Sequence, residues 1–283
     1  MAKGGNGHDR GRRGHGSPFV TDDPWEGLRE FTDARIGMGR SGVSLPLREW
    51  LRFNLDHALA KDAVMLPFES DNVAHGLREK GIKVVQLDSQ AKDKDHYLAR
   101  PDLGRRLSPG SKAALDEAVK GDPAAWLDKD VLVVICDGLS ALAIHTSAVA
   151  LTTRFLALLK EHAISPAPVA VVTRGRVAVA DEVNDHAKAR LVVNLVGERP
   201  GLSSPDSMGA YITYGAYRGI MEESRNCISN IRPAGLSLDD ALRKLAYIVQ
   251  KALALRITGT SLKDDMPDNY LPFELSAGFL EGG

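Results

Sequence analysis

Three runs of consecutive apolar residues, rich in β-branched side chains, constrain this chain more than anything else in it. They are Val131-Leu132-Val133-Val134-Ile135, Pro168-Val169-Ala170-Val171-Val172 and Leu191-Val192-Val193-Asn194-Leu195-Val196. Without polar alternation, such runs read as strands buried on both faces, the mark of a parallel sheet. Helical patterns separate them, one reaching about Glu161 and one from about Asp181 to Ala187. Strand, helix, strand, helix, strand predicts a doubly wound α/β fold with right-handed crossovers. Shorter strands are expected at Ile82–Leu87 and Tyr211–Tyr214. An amphipathic helix, N-capped by Ser237 with Asp239 and Asp240 in its first turn, is expected to run to Leu255.

The N-terminal part has a different character. Met1–Ser17 is Gly-, His- and Arg-rich and poor in apolar residues, so it is expected to be a disordered basic tail. Asp23-Pro24 resembles a helix start, followed by Trp25, Leu28, Phe31 and Ile36 at mostly helical spacing. Gly37–Gly42 breaks that pattern into a loop. Leu47–Ala63 reads as a helix with Trp50, Leu51, Leu55 and Leu59 on one face, and Val64–Gly76 reads as irregular. The segment Tyr97–Leu107 sets three arginines around a Pro-Asp turn. Composition alone leaves it open as a functional element or a salt-bridged joint.

In a parallel sheet, ligands bind outside the carboxyl ends of the strands. Three loops meet that edge here: Asp137–Ala141, Thr173–Val177 and Gly197–Ser207. The segment Arg225–Pro233 is a fourth candidate neighbour. The third loop begins with Glu198, a carboxylate at the end of an apolar strand and better suited to a pocket rim than to a core. Small residues, hydroxyls, one carboxylate and several backbone amides suit a large ligand with many amide groups and an apolar face. They suit a phosphate less well, because no glycine-rich phosphate loop follows a strand. Asp137 reads as the N-cap of the helix after it in preference to a general acid or base.

Much else is excluded. The 36 basic and 37 acidic residues leave a net charge of -1, with no footprint for nucleic acid or a membrane surface. The two cysteines, Cys136 and Cys227, form neither a disulfide framework nor a zinc pair, which suits a reducing cytosol. No serine-hydrolase elbow or zinc-protease helix motif is present, and the histidines do not cluster at metal-ligand spacings. No catalytic or metal-ligating residue is therefore nominated. No apolar run is read as a membrane span, and no signal-peptide core is read at the N-terminus.

At the sheet-edge loops the chain resembles a known family. Asp137-Gly138-Leu139-Ser140, Gly175-Arg176-Val177, Leu195-Val196-Gly197-Glu198-Arg199-Pro200-Gly201-Leu202 and Cys227-Ile228-Ser229-Asn230-Ile231 are similar to hallmark runs of the ethanolamine ammonia-lyase small (light) subunit. Tyr97-Leu98-Ala99-Arg100-Pro101-Asp102-Leu103-Gly104-Arg105-Arg106-Leu107 resembles that family's upstream signature. The resemblance is ordered and spans about residues 35 to 260. It implies a Rossmann-like domain that closes over adenosylcobalamin against a large TIM-barrel subunit. The complex would be a hexamer of heterodimers converting ethanolamine to acetaldehyde and ammonia by radical chemistry. The residues matching the family's cobalamin contacts are Val177, Glu198 and Cys227. A cytoplasmic location is implied, with a bacterial microcompartment as the other setting. The helix-forming N-terminal extension that some relatives carry for such packaging is not matched by the Gly- and Arg-rich start. The alternative is a stand-alone Rossmann-like binding module or small transferase using the same sheet edge.

The resulting expectation is an α/β, Rossmann-like, doubly wound and mostly parallel sheet over residues 121–260. A smaller, mainly helical region precedes it over 21–120, and tails occupy 1–20 and 261–283. The Asp-x-His-x-x-Gly run, whose histidine replaces the cofactor's own base on cobalt in many cobalamin domains, is absent; Asp56-His57, Asp95-His96 and Asp185-His186 are wrongly spaced. Cobalamin is expected to bind with dimethylbenzimidazole still on cobalt. An EPR spectrum of the cob(II)alamin complex with histidine-nitrogen coordination would contradict this.

Overall fold

The computed structural model describes residues 19–32 and 34–272. The N-terminal tail up to residue 18 and the C-terminal tail from residue 273 lie outside the described residues. Two compact units divide between Leu59 and Ala60.

The second unit is built on one six-stranded sheet. Its strands are β1 (Val84–Asp88), β2 (Val131–Cys136), β3 (Val169–Thr173), β4 (Leu191–Gly197), β5 (Met208–Tyr214) and β6 (Asn226–Ile231), in the order β1-β3-β2-β4-β5-β6. β1, β3, β2 and β4 are parallel, whereas β5 and β6 are antiparallel additions. The fold is α/β as expected, and the sheet is mixed: the parallel part expected of a mostly parallel sheet stops at β4. The cause lies in the connections. A parallel return needs a crossover of a dozen or more residues, usually helical, and residues 198–207 between β4 and β5 contain no helix.

Alternating side chains of β2 divide the core in two. Val131, Val133 and Ile135 face α2 (Ser70–Arg78), α6 (Ala141–Glu161) and α8 (Leu238–Leu255), packing with Leu77, Ile144, Phe155 and Leu245. Leu132, Val134 and Cys136 face the other side, where α4 (Pro109–Gly121), α5 (Pro123–Trp126) and α7 (Val179–Ala187) supply Leu115, Trp126 and Val183. α6 is, by length and composition, apolar enough to cross a membrane, a property the sequence pattern did not bring out. Its Ile144, Leu151, Phe155 and Leu159 are instead buried in the sheet's core. α2 occupies part of the stretch expected to be irregular. Its buried Val73, Ala74 and Leu77 make sense as a helix face only once the sheet is present to receive them.

The boundary expected at residue 120 moves. β1 hydrogen-bonds β3 in parallel register, and α4 packs on β1, so both belong with the sheet. The Tyr97–Leu107 segment is a joint. It begins in the second half of α3 (Lys94–Ala99) and is bolted to α7 through the buried Glu182, which binds Arg106 Nε (3.1 Å), Lys112 Nζ (2.9 Å) and the Leu107 amide (2.6 Å). Arg100 pairs locally with Asp102, and the Arg176 amide donates to the Gly104 carbonyl at 2.8 Å.

In the first unit, residues Glu26–Glu30 form a short 3-10 helix in place of the longer helix expected. Asp23 still accepts a backbone amide there, from Trp25 at 2.9 Å. Helix α1 (Leu47–Met65) starts in this unit, and its Trp50, Leu51, Leu55 and Leu59 side chains are exposed.

Removing Glu182 would leave two cations and a buried amide without their acceptor. Arg106 and Lys112 are each about a third exposed and can turn to water, so the main cost is the orphaned Leu107 amide, about 1–3 kcal/mol. Glu182→Ala is expected to lower unfolding stability by that order, measured by urea denaturation. A loss near zero would show that the joint contributes nothing.

Candidate functional site

Three loops converge at the carboxyl ends of β2, β3 and β4, the fourth expected segment being mostly strand β6, and they are held by specific bonds. The Leu139 amide donates to the Gly197 carbonyl at 2.9 Å. Gly138 sits at φ +58°, and a Cβ there would come within 2.1 Å of that same carbonyl, so only glycine allows the two loops to touch. The Ser140 hydroxyl reaches the Pro205 carbonyl at 2.7 Å, tying the first loop to the long third one. Ser140, not Asp137, caps α6 by accepting the Ala143 amide. Relieved of capping, the Asp137 carboxylate accepts the Gly175 amide at 3.2 Å and so joins the β2 and β3 loops.

Glu198 follows directly on β4 and is half-buried. Its Oε1 accepts from the Ser229 hydroxyl at 2.6 Å. Its Oε2 accepts from the Ser207 hydroxyl at 2.6 Å and from the Asn230 amide at 3.2 Å. Hydrogen bonds to a charged acceptor are short and strong, so these three fix the carboxylate firmly while leaving lone-pair capacity unused. Gly209 makes room for it, since a Cβ there would lie 2.8 Å from Oε1. An ion pair with Arg199 or Arg176 is the competing role for such a carboxylate. Among the described residues Glu198 has no ion pair; Arg176 turns instead to the Tyr97 carbonyl and lies over the Tyr97 ring.

Cys227 lies on the edge strand β6, exposed and directly opposite Tyr211 of β5. Desolvation pushes its thiol pKa up and the Glu198 charge adds to this, against a hydrogen bond with Tyr211 that pulls it down. A raised pKa disfavours the thiolate, and with it a nucleophilic role. The basic neighbour such a role would need, Arg225, is already engaged by Asp181 and Glu222. Val177 sits half-buried just before α7, packed against the second core. Its carbonyl accepts from Asn194 Nδ2 at 2.9 Å and from the Ala180 amide at 3.3 Å, so that carbonyl is already engaged within the protein.

Register relates these positions. Asn194, Tyr211 and Cys227 are directly opposite one another across β4, β5 and β6 and therefore share a face of the sheet. Val177 is hydrogen-bonded to the first of them. The sequence nominated Val177, Glu198 and Cys227, and the fold gathers all three at one corner of the sheet. Tyr211, and the hydroxyls of Ser207 and Ser229 as holders of Glu198, were not singled out. A strand tyrosine and two loop serines carry no local signal of that kind.

Comparison with known proteins places the chain in a family. The family profile "Ethanolamine ammonia-lyase light chain (EutC)" matches residues 22–263. The chain belongs to the ethanolamine ammonia-lyase small-subunit family. It is 47% identical over 248 residues to the "Ethanolamine ammonia-lyase small subunit" of Azotobacter vinelandii, covering 87% of this chain and 90% of that one. The protein of the same name from Ralstonia nicotianae is 46% identical over 245 residues, at 87% and 90% coverage. That of Pseudomonas putida is 44% identical over 263 residues, at 93% and 95%. The small-subunit profile thus spans Val177, Glu198 and Cys227 together with the Glu182 joint.

Burial pushes the Asp137 carboxyl up to about 6, opposed by Lys94 and by backbone amides. Because the folded-state value is raised, the native protein holds a proton that the unfolded chain has released between about pH 4 and 6. Stability contributed by that proton is lost as pH rises through the window. Asp137→Asn removes the effect. From pH 4.5 to 7 the variant is expected to gain about 2 kcal/mol on the parent, measured by urea unfolding at several pH values. A constant difference would refute the assignment.

Proposed function

We propose that this chain is the cobalamin-binding small subunit of an adenosylcobalamin-dependent ethanolamine ammonia-lyase, the enzyme that converts ethanolamine to acetaldehyde and ammonia. The observation that carries the reading is the Glu198 carboxylate, held by Ser207, Ser229 and the Asn230 amide beside the exposed Cys227. The four parallel strands are taken as the Rossmann-like part, with β5 and β6 extending the platform.

The residues present fit the cofactor. A corrin carries a rim of amide side chains around a broad, largely apolar ring. Glu198 has a fixed, charged acceptor with free capacity for an amide N–H. Cys227 is a small, soft, neutral surface that can lie against an apolar edge. The Val177 side chain adds an apolar contact at the other end of the Asn194–Tyr211–Cys227 row. None of these groups needs to gain or lose a proton. When bound, adenosylcobalamin supplies the radical chemistry, and the protein supplies binding and orientation. The role assigned to this chain is to hold the cofactor by its rim, keep it in one orientation and help exclude water from the reacting side.

The large subunit is proposed as the partner that brings the substrate site, in a hexamer of heterodimers, in the cytoplasm or a bacterial microcompartment. The exposed Trp50, Leu51, Leu55 and Leu59 of α1 support a partner, because soluble monomers rarely present such a run of large apolar side chains.

Two arms of one experiment test the proposal. The chain is produced alone and together with its large subunit, and ethanolamine deamination is assayed with adenosylcobalamin. Activity is expected only from the pair; activity from the chain alone would overturn the subunit reading. In the paired enzyme, Glu198→Gln is expected to raise the cofactor concentration for half-activity about tenfold. Turnover at saturating cofactor should change far less. A large loss of turnover at unchanged cofactor affinity would make Glu198 catalytic instead.

A further inference from the structure

Beside the Asn194–Tyr211–Cys227 row lies a second set of groups that the cofactor reading does not use. Arg225 stands two residues before Cys227, Thr213 two residues after Tyr211, and Asp181 in the first turn of α7, four residues after Val177. Side chains two apart on extended chain share a face, so this set adjoins the row facing the proposed ligand on the same face of the sheet. Arg225 Nη1 and Nη2 bind the two Asp181 oxygens, each at 2.7 Å. Nη1 also reaches the Thr213 hydroxyl at 3.2 Å, and Nε reaches Glu222 at 3.0 Å. The side chains of the pair are only 4% and 2% exposed, the most buried ion pair among the described residues.

We propose that the Arg225–Asp181 pair is a positioning clamp for the cobalamin site, holding the start of α7, which directly follows the Val177 turn, at a set distance from β6, which carries Cys227 and Ser229. The inference rests on the cobalamin reading of that site. Stability alone does not call for such a pair. Removing two charges from water is expensive, and an apolar pair of similar volume often does as well or better. What the ion pair adds is geometry. A two-bond fork between guanidinium and carboxylate fixes distance and orientation together, which lysine's single-point ammonium cannot do. The pair spans β5 to join the two elements that the ligand would touch, and β6 is an edge strand with a neighbour on one side only. A rigid macrocycle gripped at both ends requires that spacing to be held before it arrives.

The test uses the assembled complex with its large subunit and cyanocobalamin as an unreactive probe, with affinity read by equilibrium binding and Tm by circular dichroism. Wild-type complex is measured first. If it does not take up cyanocobalamin, the reading of the site fails and the clamp fails with it. Given wild-type binding, Arg225→Lys is expected to weaken the probe's affinity about tenfold. Turnover at saturating adenosylcobalamin should stay within about twofold. The double variant Arg225→Met with Asp181→Leu is expected to keep the wild-type Tm and to show the same loss of affinity. Unaltered affinity in the double variant at an unaltered Tm overturns the clamp and leaves the pair a packing element. Should the double variant fail to fold, Arg225→Lys decides: unaltered affinity in it overturns the proposal, and a selective tenfold loss sustains it.

Discussion

The placement of β4 is the constraint on which the rest depends. It pairs in parallel with β2 on one side and antiparallel with β5 on the other. The parallel side brings its carboxyl end level with that of β2, so the Asp137–Ser140 loop meets Gly197. The antiparallel side sends the chain straight back from Glu198, so Ser207 at the start of β5 returns beside it. β6 then adds Ser229 and Asn230 within reach of the same carboxylate. A helical crossover after β4 would have carried the chain away from this corner and left Glu198 without its holders.

Buried polar groups do most of the joining around that corner. Glu182 ties the Tyr97–Leu107 segment to α7, Asp137 ties two loops through an amide, Asn194 ties β4 to Val177, and Arg225 with Asp181 ties α7 to β6. Each would be costly unpaired and is satisfied here. The concentration of such bonds at the carboxyl edge contrasts with the apolar packing of α2, α6 and α8 on the opposite face. Both faces of the sheet carry an apolar core, and the directed bonds are added to the one that packs α4, α5 and α7. Directed bonds are what a site that must keep its shape requires.

Much of this was legible beforehand, for identifiable reasons. The strands β2, β3 and β4 are apolar runs, interrupted only by Asn194 in β4, and a buried parallel sheet is the ready home for such runs. Ser237 marked the start of α8 by capping chemistry that is local. Glu198 stood out because a carboxylate does not belong at the end of a core strand. Other features were hidden because their causes are distant in sequence. β6 reads as a polar loop, since an edge strand alternates exposed Cys227 and Ser229 with buried Ile228 and Ile231. α2 has an apolar face only in relation to the sheet. Asp137 looked like a cap because the competing capper, Ser140, lies three residues on and wins by geometry.

By itself the sequence determined that the chain forms an α/β sheet and which strands lie at its centre, and it nominated three residues as candidate ligand contacts. These follow from local patterning and from the residues that carry the family resemblance. Only the tertiary structure decided that the sheet is mixed, that Tyr97–Leu107 is a joint to α7, and that Glu198 is held by two hydroxyls and an amide. It also brought Arg225 onto Asp181 across 44 residues of chain. Strand direction, burial of charge and hydrogen-bond partnership are set by what the fold brings together, and no local pattern carries that information.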